Sequence, residues 1–364
     1  MKKLLIYLTL MSLILCNKAE AAPINPKLNC SAAVLIDQNS GRILYGKNSD
    51  KKLAMASTTK IITAIVAIEK GDLGEKVCVS KKAVSVSGST VGLKEGEKIT
   101  LEELLYGLML CSGNDAAIAI AEHIGGSADN FVALMNDKAL KMGAYNTSFK
   151  TPHGLDADMH FTTAEDLAFI TAYAMKNETF SRIVSTKEIS NGITGKFNRK
   201  YANINKFLYR IEDADGVKTG YTGNAGKCLV ASIKHPYGRY ICVVLNSANR
   251  WNDAASLMKY AKENYSFIKI MGRDESLKQL RVYGGDKRYL NAKINDDLYI
   301  PVKEDEVNNL KVDAFIPSAM FSPIEEDEII GNIVVFINDV QIAKYPVYSD
   351  KKILRKNFVK PLKN

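Results

Sequence analysis

Two hydrophobic patterns share the chain. Residues 32–46, AAVLIDQNSGRILYG, set two apolar runs around Asn39-Ser40-Gly41, which predicts a β-hairpin. Ile61, Ile62, Ile65, Val66 and Ile68 then recur at helical spacing. The polar Ser57-Thr58-Thr59 before them predicts a helix over 57–70 with Ser57 as its cap, because a hydroxyl oxygen accepts the orphan N–H groups of a first turn. Helical runs continue from 100 to 190 in LEELLYGLML, DAAIAIAEHIGG, DNFVALMNDKALKMG and TAEDLAFITAYAMKN. Thr163 with Asp166 three residues on has the form of a helix entry. Strand patterns return in KCLVASIK and RYICVVLNSA, joined by a His235-Pro236-Tyr237-Gly238 turn. NDAASLMKYAKENYSFI predicts one more helix over 252–268. Strands from both ends thus bracket a helical middle, the order of an α+β fold with an antiparallel sheet packed by helices. After 273, LKQLRVYGGDKRYLNAKI, DDLYIPV and GNIVVFINDVQIAKYPVY alternate in strand fashion around Gly-Gly and Asn-Asp turns. They predict a small all-β domain over 273–350.

Length and composition agree with two domains: 364 residues, 46% of them hydrophobic. The first 21 residues stand apart. Lys2 and Lys3, the apolar Leu4–Leu15 and the small-x-small Ala19-Glu20-Ala21 form an expected secretory signal peptide, too short for a stable membrane span. Export follows from it, with the catalytic domain over 22–270. Cys16 leaves with the signal. Cys30, Cys78, Cys111, Cys228 and Cys242 are odd in number and widely spaced, which reads as small buried apolar residues with one disulfide open. Of the net charge of +9, Lys2, Lys3 and Lys18 against Glu20 account for +2. The stretch KKILRKNFVKPLKN, 351–364, has six Lys/Arg and no acid. The body of the protein is nearly neutral, which excludes a nucleic-acid-binding surface and leaves a basic tail.

The candidate chemistry begins with Lys60, a charge inside an apolar helix. Residues three apart share a helix face, so Ser57 and Lys60 would stand side by side. Burial and the positive helix end both disfavour an ammonium ion there. A neutral lysine can take a proton from serine and make it a nucleophile. Ser-x-x-Lys occurs five times in the chain, and only Ser57/Lys60 opens an apolar helix. Ser112-Gly113-Asn114 sits between two helical runs, and by itself reads as a helix–helix turn. Lys218-Thr219-Gly220 occurs once, at the start of a strand. In this order the three motifs describe a serine acyl-transfer site.

Together they resemble the penicillin-binding protein and serine β-lactamase superfamily. MASTTKIITAIVAIE, LMLCSGNDAAIAIAEHIGG, FKTPHGLDADMHFTTAEDLAFI and GVKTGYTGNAGKCLVAS are most similar to the low-molecular-mass D-alanyl-D-alanine carboxypeptidases. That resemblance implies a β-lactamase/transpeptidase-like catalytic domain followed by the all-β domain. It implies Ser57 as the nucleophile that forms an acyl-enzyme between two terminal D-alanines, with Lys60 as its base. Ser112 would pass protons to the leaving D-alanine, and Asn114 would hold the substrate amide. Lys218 would supply positive charge, Thr219 would bind the terminal carboxylate, and Gly220 would complete that binding segment. Backbone N–H groups of Ser57 and Tyr221 would form the oxyanion hole. Arg250, in NSANRWNDA, would approach the same carboxylate or stand as a strand-end surface charge. Implied partners are peptidoglycan stem peptides and, as covalent inhibitors, β-lactams, at the outer face of the cytoplasmic membrane. The basic tail would lie on that membrane as a short amphipathic helix, or touch anionic wall polymers.

No cofactor or metal is expected. His153 and His160 flank GLDADM without a ligand cluster such as His-Glu-x-x-His and read as structural. A class A β-lactamase would carry Glu-x-x-Leu-Asn between Asn114 and Lys218, and the segment lacks it. An α/β-hydrolase would carry a Gly-x-Ser-x-Gly elbow. A non-catalytic scaffold would have lost the serine or a lysine. Transpeptidase or endopeptidase activity shares the acylation step and stays open.

Overall fold

The structure, a computed structural model, describes residues 25–190, 197–273, 275 and 277–356. The expected signal peptide lies outside them. Strands β1 (Cys30–Asp37) and β2 (Ile43–Lys47) form the expected hairpin. Two short pairs follow, β3 (Lys76–Cys78) with β4 (Lys98–Thr100) and β5 (Glu188–Ile189) with β6 (Tyr201–Ala202). The main sheet is completed by β7 (Ala214–Thr222), β8 (Gly226–His235) and β9 (Gly238–Ser247), in the order β2-β1-β9-β8-β7. Every pairing in it is antiparallel.

The main helices are α1 (Lys60–Lys70), α2 (Leu101–Leu110), α3 (Asn114–Gly125), α4 (Ala128–Lys141), α5 (Ala164–Ala174), α6 (Glu178–Ser185) and α7 (Arg250–Asn264). They cover the sheet on both faces. Ala32, Val34 and Ile36 point into one core with α1 to α6, whereas Ala33 and Leu35 point into a second core with α7. This period of two explains why the central strands read as continuous apolar runs. Helix α1 is buried from Lys60 to Ala67 and runs through the helical layer. Thr163 caps α5 as expected, accepting from the Asp166 N–H at 3.0 Å.

Three expectations are corrected. A 3-10 turn over Ala56–Thr59 precedes α1, and no side chain caps the helix. The Thr58 and Thr59 hydroxyls turn backwards and donate to the carbonyls of Met55 and Ala56, at 2.6 and 2.8 Å, which leaves Ser57 for another contact. The helix expected over 252–268 ends at Asn264. Ser266–Met271 is instead strand β10, paired with β13 (Leu298–Val302) of the following region. Tyr265 is buried at the junction and donates to the Leu44 carbonyl at 2.9 Å. Finally, the tail does not begin at 351. Ile353 is fully buried in the third core and bridges to Ile324. Phe358, Val359 and Leu362 lie outside the described residues.

The third core belongs to the all-β region. Its remaining strands are β11 (Lys278–Tyr283), β12 (Tyr289–Lys293), β14 (Leu310–Phe315), β15 (Ala319–Phe321), β16 (Ile329–Ile337) and β17 (Val340–Ser349), in one sheet ordered β14-β16-β17-β12-β11-β15. Arg42 ties the two regions, bonding Glu306 at 2.6 Å and the Pro301 carbonyl. All five cysteines of the described chain are free; Cys30, Cys228 and Cys242 are buried, Cys111 is half-buried and Cys78 is exposed.

Candidate active site

The site forms where the turn before α1, the α2–α3 connection and the edge strand β7 meet. Gly220 shows how close they come. A Cβ there would lie 2.9 Å from the Met55 carbonyl oxygen and 3.1 Å from the Ser57 nitrogen. Only a residue without a side chain lets β7 pass the serine at this distance.

Ser57 and Lys60 stand together as the spacing predicted. Lys60 Nζ lies 2.9 Å from Ser57 Oγ, 2.7 Å from Asn114 Oδ1 and 2.7 Å from the His153 carbonyl oxygen. Lys60 is fully buried. Burial, and next the charge of Lys218, pull its ammonium well below the usual lysine range, with Asp115 opposing. Lys218 is also buried and donates to the Thr219 carbonyl at 3.2 Å. Burial and then Arg250 bring it down to about 7.

Ser112 is buried in the α2–α3 turn with a left-handed φ of 64°. The turn is fixed from outside. Asn114 accepts from Lys60, donates its amide to the Ser87 carbonyl at 2.7 Å, and donates its backbone N–H to Ser89 at 2.7 Å. Asp115, also buried, accepts the N–H groups of Val91 and Leu93. Loop 87–93 is therefore laced to the start of α3. Thr219 is buried beside Gly220, while the Tyr221 side chain is 66% exposed. Arg250 is half-buried rather than a surface charge, and one of its terminal nitrogens, Nη1, is held by backbone carbonyls. Its guanidinium donates to the carbonyls of Gly220 at 2.7 Å and Cys228 at 3.1 Å, and lies 4.8 Å from the Trp251 ring centroid. It braces β7 from behind. Arg250→Met is expected to raise KM and lower kcat/KM roughly tenfold, the size of one or two lost charge-assisted bonds, as steady-state peptide hydrolysis would measure.

Sequence reasoning passed over Asp115, Ser87, Gly154 and the backbone of His153. His160 buttresses the nucleophile turn, while the His153 ring accepts from the Leu155 N–H at 3.1 Å within its own loop. His160 Nδ1 accepts from the Lys150 N–H at 2.9 Å, so Nε2 carries the proton and donates to Thr59 Oγ1 at 2.9 Å. Burial holds both His153 and His160 down to about 4. Their folded value lies below that of the unfolded chain, so the unfolded state binds more protons between them. Stability should fall as pH drops from about 6.5 to 4, by on the order of 3 kcal/mol per histidine, as urea unfolding at several pH values would show. Among the described residues no cluster of His, Cys, Asp or Glu could hold a metal ion.

A buried amine against a serine hydroxyl, a second buried lysine and a backbone edge beside the serine are the parts of an acyl-transfer centre. The comparisons agree. Residues 17–249 match the family described as D-alanyl-D-alanine carboxypeptidase, and residues 265–355 match the penicillin-binding protein 5 C-terminal domain. The D-alanyl-D-alanine carboxypeptidase DacF of Bacillus subtilis is 33% identical over 343 residues, 91% of this chain and 88% of that protein. The D-alanyl-D-alanine carboxypeptidase DacC of Escherichia coli is 32% identical over 341 residues, 88% of this chain and 84% of its own length. Penicillin-binding protein 5 of Haemophilus influenzae superposes with a TM-score of 0.72 at 29% identity, covering 91% of this chain and 99% of that one. The chain belongs to the D-alanyl-D-alanine carboxypeptidase family of serine hydrolases, which act on peptidoglycan.

Proposed function

We propose that the chain removes the terminal D-alanine from peptidoglycan stem pentapeptides through an acyl-enzyme on Ser57. The observation that carries this reading is the set of contacts around Lys60. Asn114 Oδ1 and the His153 carbonyl can only accept. They take both hydrogens of a neutral amine, and its lone pair then faces the Ser57 hydroxyl at 2.9 Å. The chain's own geometry thus prepares Lys60 to receive a proton. Ser57 Oγ attacks the carbonyl carbon between the two D-alanines as its proton passes to Lys60. The oxyanion is held by the backbone N–H groups of Ser57 and Tyr221, where charge develops only in the transition state. The C–N bond breaks, and the leaving amine takes a proton relayed through Ser112. Water then attacks the ester, with Lys60 again the base, and frees Ser57. Asn114 holds the substrate amide, Lys218 and Thr219 hold the terminal carboxylate, and Gly220 keeps the strand close. β-Lactams would acylate the same serine. In this reading the protein is exported through its signal peptide and works in the cell envelope, with the basic stretch after Lys356 against an anionic membrane.

D-Alanine release from an acylated L-Lys-D-Ala-D-Ala peptide tests the reading, with residues 22–364 beside Ser57→Ala. Release by the former alone supports it. No release with penicillin labelling retained would redirect the substrate toward cross-linked peptides, and no release without labelling would end the enzymatic reading.

A further inference from the structure

One edge of the all-β domain combines exposed aromatic rings with unpaired cations. Strand β11 pairs with β12, Arg281 opposite Tyr289, and in parallel with β15, Tyr283 opposite Phe321. Opposite residues of paired strands share a face. Arg281, Tyr283, Tyr289 and Phe321 therefore stand on one side, while Leu280, Val282 and Leu290 fill the core on the other. Phe321 is 78% exposed, and its ring centroid lies 5.6 Å from that of Tyr283. The Arg281 guanidinium sits 4.9 Å from the Tyr283 ring centroid.

The last described residues arrive at the same place. Asp286 donates its N–H to the Leu354 carbonyl and accepts the Leu354 N–H, both at 2.9 Å, and the Lys356 N–H bonds to Gly284 at 2.8 Å. This sets exposed Leu354 beside the hairpin turn after Tyr283. Arg281, Lys287, Arg288, Arg355 and Lys356 are all exposed and form no ion pair among the described residues. From Lys356 the sequence continues as NFVKPLKN, with Phe358, Val359 and Leu362 between further lysines.

We propose that this edge of the all-β domain is itself a membrane-docking surface, inserting Phe321, Tyr283 and Leu354 into an anionic bilayer while the cations meet its headgroups. A soluble polyanion would need only the charges. Rings clustered among those charges are what an interface with an apolar layer beneath its headgroups selects. This deepens the membrane contact proposed above, and it assigns binding to the folded domain rather than to the stretch after Lys356 alone.

Sedimentation with phosphatidylglycerol–phosphatidylcholine vesicles, and with phosphatidylcholine alone, tests it. The proteins are residues 22–364, the chain ending at Lys356, and each carrying Phe321→Ser with Tyr283→Ser. The shortened chain should still bind the anionic vesicles, and the double substitution should weaken partition in both backgrounds by roughly tenfold or more. Phe321→Trp should give emission that shifts to the blue on vesicle addition. Loss of all binding on shortening, with no effect of the double substitution, would overturn the proposal and leave the tail as the anchor. Equal binding to soluble polyphosphate with no blue shift would overturn it in favour of a wall polyanion. D-Alanine release in solution separates these outcomes from failure of the catalytic reading.

Discussion

Lys60→Met should lower kcat/KM for D-alanine release by about 10³-fold or more, the upper range for loss of a positioned general base. Methionine nearly matches the lysine stem and suits the buried site, so the variant should fold. Two acceptors, Asn114 Oδ1 and the His153 carbonyl, would lose their donor, at about 1–3 kcal/mol each. Relief from burying an amine offsets part of that. The pH profile makes the test specific. Wild-type kcat/KM should rise as Lys60 loses its proton, on an acid limb set well below the usual lysine range. It should fall again above about 7 as free Lys218 loses the charge that draws the substrate carboxylate. Residual activity of Lys60→Met should keep the alkaline limb and lack the acid one. Unchanged activity, or an acid limb that survives the substitution, would remove Lys60 from the base role.

Of the residues proposed for this chemistry, the lysines were legible because they break a local rule, whereas Ser57 and Ser112-Gly113-Asn114 read as a cap and a turn and stood out only through the order of the three motifs. Lys60 is a charge in an apolar helix, and Lys-Thr-Gly interrupts a strand that otherwise reads as core. The residues that hold them were not legible, because each obeys a local rule while serving a distant one. Asp115 reads as an ordinary acidic residue in a helix's first turn, yet it ties down Val91 and Leu93 across the chain. His160 reads as one polar residue in a loop, and only the folded chain brings it against Thr59. The same holds for the fold. Apolar runs bounded by turn residues placed the strands of the main sheet, but the apolar run ending at 268 fits a helix or a strand equally well. Its partner, Leu298–Val302, decides in favour of the strand. Ile353 looked like part of a basic tail because its pairing residue, Ile324, is remote in sequence.

Gly154→Ala should be the most damaging small substitution in the catalytic domain. Gly154 has φ of 87°, and a Cβ there would lie 2.0 Å from the Ala56 carbonyl oxygen and 2.8 Å from Thr59 Oγ1. The first of these atoms is backbone and cannot rotate away. Relief requires the loop carrying the His153 carbonyl to part from the turn carrying Ser57, and those two segments define where Lys60 Nζ sits. The expected cost is about 3–5 kcal/mol in chemical unfolding, well above the strain of a left-handed alanine alone. Molecules that remain folded should acylate with penicillin at least ~100-fold more slowly, because displacement of about an ångström at reacting groups has that scale. Gly143→Ala is the matched control. Its φ is 83°, but nothing lies within 4 Å of the added Cβ, so it should show only the backbone strain, about 1–2 kcal/mol, and normal acylation. If the two variants lose the same stability and acylate alike, the 153–154 loop does not press on the serine turn. The positioning of Lys60 would then rest on its bonds to Asn114 and the His153 carbonyl without the close packing at Gly154.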